Sequence, residues 1–139
     1  MNYPDTNEML ISDERFMALV ARGRIERFGH REHLRLAFVA ARSSETPGEV
    51  VDRCRAGIRA VALAHGAPGT YHETITAAWA AIMLDAVRSL PGSTFDELVA
   101  ARPELADPAY LERHYSPDLL ASGDTRTRVF PPDRATLPD

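Results

Sequence analysis

One stretch constrains the fold more than any other: Thr46-Pro47-Gly48-Glu49, followed by Val50, Cys54, Ile58, Val61 and Leu63, and then by Gly66. A threonine three residues before a glutamate forms a capping box, and proline suits the first helical position, where its missing N–H is not needed. The apolar residues then recur at the three-to-four spacing of a single helix face, and glycine supplies the stop. The same punctuation repeats along the chain. Ser12 before Asp13-Glu14 caps a first helix, with Phe16, Leu19 and Val20 as its stripe and Gly23 as its end. Gly29 precedes a second helix, from about His30 to Arg42, whose core face is Leu34, Ala37, Phe38 and Ala41. A fourth, from about Tyr71 to Leu90, is the longest and most apolar, and Pro91-Gly92 closes it.

Ser93, Asp107-Pro108 and Ser116-Pro117-Asp118 open short helical pieces. No stretch of useful length alternates apolar and polar residues as a half-buried strand must. The predicted fold is therefore all-α: an up-down bundle of four main helices with two or three short C-terminal ones. A loose lead-in covers residues 1–11, and a proline-punctuated arm over residues 123–139 lies across the domain.

Composition narrows the function. At 139 residues the chain suits one domain. All sixteen basic residues are arginine, which excludes mechanisms that need a side-chain amine, such as a Schiff base or a phosphate-loop lysine. A net charge of -4 without a dense basic stripe argues against nucleic acid as a partner. No apolar run is long enough to span a membrane, and the polar N-terminus lacks a signal peptide's pattern, so the expected location is the cytoplasm. The lone Cys54 lies within a helical pattern with no base beside it and reads as an inert packed thiol.

Chemistry concentrates in two segments, Phe28-Gly-His-Arg-Glu-His33-Leu and Tyr71-His-Glu-Thr-Ile-Thr76. Residues three apart on a helix are rotated by about 300° and share a face, so His30 and His33 point the same way, along the line that Leu34 and Ala37 extend. In the fourth helix His72, Thr76 and Trp79 follow one line. Short connections favour antiparallel neighbours, so helices two and four run parallel and their N-termini lie at the same end. His30, His33 and His72 are thereby predicted to meet in one polar pocket.

Three neutral imidazoles form a facial ligand set for a divalent metal such as zinc or iron, with Glu73 or Glu32 orienting a ring or carrying protons. The same geometry without metal gives an acid–base site at two helix N-termini, which with Thr74, Thr76 and Tyr71 would hold a small anion. Each histidine also has an ordinary structural alternative: capping, stacking on an aromatic ring, or bonding a loop carbonyl. His65 reads as a favourable charge at a helix C-terminus. His114 and Tyr115 can join the pocket or close a helix end. Arg31 and Arg35 read as solvated or ion-paired.

Taken together, Phe28-x-His30-x-x-His33-Leu-x-Leu-Ala37, Tyr71-His72-x-Thr74-x-Thr76-x-Ala-Trp79, His114-Tyr115-Ser116-Pro117 and the terminal Leu137-Pro138 resemble a widespread family of small, uncharacterised bacterial proteins. The resemblance runs from about Phe16 to Pro138 and implies a small helical domain; it brings no substrate. The functional expectation is a small enzyme for hydrolysis or elimination on a small anionic metabolite. His30, His33, His72, Glu73 and Tyr71 are its catalytic candidates, and Thr74, Thr76, Trp79 and Tyr115 contact the substrate. The alternative is a noncatalytic ligand-binding or partner-interaction module, with the alanine-rich fourth helix open to a second copy or another protein.

Overall fold

The first helix forms where its cap residue predicts. In the computed structural model, which describes residues 11–138, Ser12 accepts a hydrogen bond from the Arg15 N–H and α1 runs Asp13–Ala21. α2 spans His30–Arg42; at its start the Glu32 carboxylate reaches back to accept the Gly29 N–H at 2.8 Å. α3 spans Pro47–Ala64 behind the expected Thr46–Glu49 capping box. α4 is Glu73–Ser89, shorter at its start than predicted, because Tyr71 and His72 are extended and His72 caps the helix instead of lying inside it.

The remainder is short pieces. α5 (Phe95–Ala101) starts from Thr94, one residue beyond the predicted Ser93, since Thr94 holds the Glu97 N–H and its own N–H meets the Glu97 carboxylate. Pro103–Ala106 and Pro108–Arg113 are 3-10 turns, then come α6 (Pro117–Ala121) and α7 (Asp124–Thr127). A further 3-10 turn, Pro68–Thr70, precedes α4. Among the described residues there is no strand. The lead-in expected over residues 1–11 lies, apart from Ile11, outside the described residues.

α4 sits at the centre, packed against α2, α3 and α7, while α1 packs on α3. Its alanines explain the position: Ala78, Ala80, Ala81 and Ala86 are buried, and small side chains let three neighbours approach at once. Among the described residues these four alanines are covered by the chain's own elements, and Ala77 is half-buried. Gly57 makes the α1–α3 contact. A β-carbon there would lie 2.8 Å from Val20 Cγ1 and 3.2 Å from Leu36 Cδ2. Gly23 and Gly66 end α1 and α3 with φ of 67° and 72°, the left-handed region that glycine enters freely.

The C-terminal arm lies across this body and is tied to it. The Thr74 hydroxyl donates to Arg128 O and accepts from the Phe130 N–H. Tyr115 OH donates to Phe130 O, and the N–H groups of Arg134 and Ala135 donate to His114 O and Arg113 O. Among the described residues no helix is long and apolar enough to cross a membrane.

Candidate functional site

The first turns of α2 and α4 line one cavity of about 40 Å³. His30 and His33 form one wall, Ile75, Thr76 and Trp79 another, and Cys54 and Ile58 of α3 contribute to the lining. Two of the three expected histidines therefore share a cavity with two of the expected substrate-contact residues.

Each of these imidazoles is oriented by a carbonyl. A carbonyl only accepts, so the nitrogen facing it carries the proton. His33 Nδ1–H donates to Gly29 O at 2.9 Å, and its ring lies 4.1 Å from that of Phe28. His30 Nε2–H donates to Leu105 O at 2.8 Å, and its ring lies 5.0 Å from Trp79. The neutral tautomers follow: His33 keeps a lone pair on Nε2 and His30 keeps one on Nδ1.

Burial lowers the His33 pKa from its ordinary 6.5. The Gly29 hydrogen bond works against this shift, His30 adds to it by charge repulsion, and Glu32 opposes it. At neutral pH His33 is an unprotonated base. Cys54 is a poor nucleophile, because burial pushes its thiol up to about 12 and keeps it protonated.

The other candidates are placed elsewhere. His72 is buried, with both ring nitrogens in use: Nδ1 accepts the Ile75 N–H at 3.2 Å and Nε2–H donates to Leu120 O at 2.9 Å. Its ring points at α6 and α7, where the Thr125 hydroxyl lies 3.2 Å away. It stands beside the cavity through its backbone, since His72 O accepts the Thr76 hydroxyl at 2.8 Å. A three-histidine metal centre would require His72 to surrender at least one of its ring contacts. Among the described residues no three His, Cys, Asp or Glu side chains are gathered in ligand geometry.

Tyr71 and Glu73 form a separate ion-pair cluster. Arg55 grips the Glu73 carboxylate with Nε at 3.1 Å and Nη2 at 2.5 Å, and Tyr71 OH donates to the same carboxylate at 2.5 Å. Arg55 holds the Glu73 pKa below the carboxylate range, despite some desolvation. Burial first, and then the bond to Glu73, raises Tyr71 to about 12. At neutral pH Glu73 stays ionised and Tyr71 stays protonated, so neither exchanges a proton readily. Thr74 and Tyr115 hold the C-terminal arm. His114 does too, its Nδ1–H donating to Ala135 O at 2.8 Å. His65 is the exposed C-cap of α3.

A second concavity, of about 280 Å³, lies between α1, α2 and α5. Arg31 pairs there with Asp96 at 2.7 Å, and Arg35 and Arg42 share Asp13 at 3.1 and 3.2 Å. Arg31 and Arg35 also lie over the rings of Phe95 and Phe16. Glu32 adds a third carboxylate to the lining, so three cations face three anions.

Sequence reasoning missed the carbonyls of Leu105 and Leu120 as the groups that orient His30 and His72. A backbone carbonyl carries no residue-type signal, and these lie 75 and 48 positions away. Comparison of the chain with protein-family models, with curated proteins and with solved structures gives no match.

Proposed function

We propose that the chain is a small enzyme whose reacting centre is the cavity between α2 and α4, with His33 as general base for a hydrolysis or an elimination. The observation that carries this reading is the state of His33. It lines a cavity, its Nδ1–H is fixed by Gly29 O, and burial keeps Nε2 unprotonated. A neutral imidazole with one nitrogen anchored is the arrangement that abstracts a proton or activates water. His30 stands next to it, and Trp79 and Thr76 shape the space. Glu73, neutralised by Arg55, serves by fixing the start of α4.

Within this reading the main helices form the up-down bundle, with α2 and α4 parallel; first-turn residues of both lining one cavity support it. The anionic charge expected of the substrate finds no support at this site, because no arginine lines the cavity among the described residues. A divalent metal, zinc or iron, is a second form of the reading, favoured by the two imidazole lone pairs alone. Metal analysis of untagged protein and of His33→Ala tests it: bound metal in the first and none in the second would support it.

The enzyme reading is tested by incubating wild type and His33→Gln with a defined mixture of small metabolites and following each compound by mass spectrometry. A compound consumed by wild type and spared by the variant is the expected result. Equal profiles would leave the cavity to the noncatalytic ligand-binding alternative.

A further inference from the structure

The geometry points to a ligand for this cavity that presents an N–H donor head, a small primary ammonium, on an apolar body, and not a carboxylate or phosphate. The inference rests on the cavity being the functional site and deepens that reading by naming what it accepts.

The donor inventory of the lining leads there. The N–H of His30 goes to Leu105 O, that of His33 to Gly29 O, and the hydroxyl proton of Thr76 to His72 O. These three polar side chains, two catalytic candidates and one expected substrate contact, have thus given their hydrogens to the backbone. His30 Nδ1 and His33 Nε2 remain as lone pairs, and the indole N–H of Trp79 is the one strong donor left on the lining side chains. The rest of the wall is hydrocarbon from Leu34, Ala37, Ile58 and Ile75, with the protonated Cys54 thiol, a weak donor, among them.

An anion placed here would set its oxygens against imidazole lone pairs in a desolvated space, with no cation to offset them. An ammonium instead donates to both imidazoles and meets the face of an indole, which attracts cations. The size agrees as well. A space of about 40 Å³, where one water needs about 10–15 Å³ of such volume, holds a head group of a few heavy atoms, so the body of a longer ligand projects past the half-buried Trp79.

Two probes of matched size, ethylammonium and acetate, decide the matter in an NMR titration that follows the His30 and His33 ring nitrogens and the Trp79 indole N–H. Ethylammonium is expected to shift these resonances saturably, and acetate to leave them in place. His33→Phe keeps a planar ring but removes the lone pair, and should weaken ethylammonium binding by about tenfold, the effect of one charged hydrogen bond. Acetate binding at these resonances as tightly as ethylammonium would overturn the inference. So would ethylammonium binding unchanged in His33→Phe, or no titration by either probe. Ethylammonium binding without any His33-dependent metabolite turnover would remove the catalytic reading while leaving the ligand class intact. Turnover of a carboxylate alone would do the reverse.

Discussion

His33 and His72 are chemically alike and opposite in role, and the difference lies in how many ring nitrogens the protein has claimed. His33 has one nitrogen held and one left over; His72 has neither spare. Linkage then gives a pH signature for His33. Its folded-state pKa lies below the unfolded value near 6.5, so the unfolded chain binds the additional proton in between. Its contribution to stability is complete above pH 6.5 and is lost as pH falls through that window. Urea midpoints measured from pH 7.5 to 5 should fall, and His33→Gln should fall less steeply; parallel slopes would contradict the assignment. At His72 the expectation is structural. His72→Ala removes a helix cap and takes the ring N–H from Leu120 O, which keeps only the longer bond from the Thr125 hydroxyl, a loss of about 1–2 kcal/mol. Asparagine is a good cap but too short for Leu120, so His72→Asn should recover about 1 kcal/mol of that in chemical denaturation. Equal losses would show that the cap is not what His72 supplies.

Elements differ in how far neighbouring residues determine them. Ser12, Gly29 and Thr46 start helices where the sequence predicts, because capping is settled within four residues of chain. The start of α4 was read two residues early, since histidine is outside the usual set of N-cap residues and qualifies here only through its Nδ1 lone pair. Nothing in the sequence marks α7: Asp124–Thr127 is four residues long and has no apolar stripe, and its one buried side chain, Thr125, is held by the carbonyls of Ser122 and Leu120. The meeting of His30, His33, Thr76 and Trp79 was legible from helical spacing. The direction of the His72 ring was not, because it depends on a distant carbonyl. Packing between elements also makes Gly57 a test. Alanine there gains about 1 kcal/mol of helix propensity, but its β-carbon meets the stiff, branched Val20, and overpacking costs about 1–3 kcal/mol. Gly57→Ala should lower the melting temperature, and a rise would show that α1 moves freely on α3.

On the scale of the whole molecule, the C-terminal arm completes a body that the main helices leave unfinished. It supplies the acceptors for Thr74, Tyr115 and His114, all buried. Ending the chain after residue 123 should therefore cost about 3 kcal/mol or more, seen as an early and broadened melt by circular dichroism, whereas an unchanged melt would make the arm an ornament. The ties also protect the site, because Thr74 and His72 anchor the first turn of α4 to the arm and to α6–α7, while Thr76 and Trp79 of the same helix face the cavity. The central claim is that this cavity holds a neutral imidazole with Nε2 uncommitted. Long-range nitrogen–proton NMR of the histidine rings reads both tautomer and protonation directly. At pH 7 His33 is predicted to appear neutral and protonated on Nδ1, titrating below 6.5. An imidazolium at that pH, or a proton on Nε2, would contradict the account.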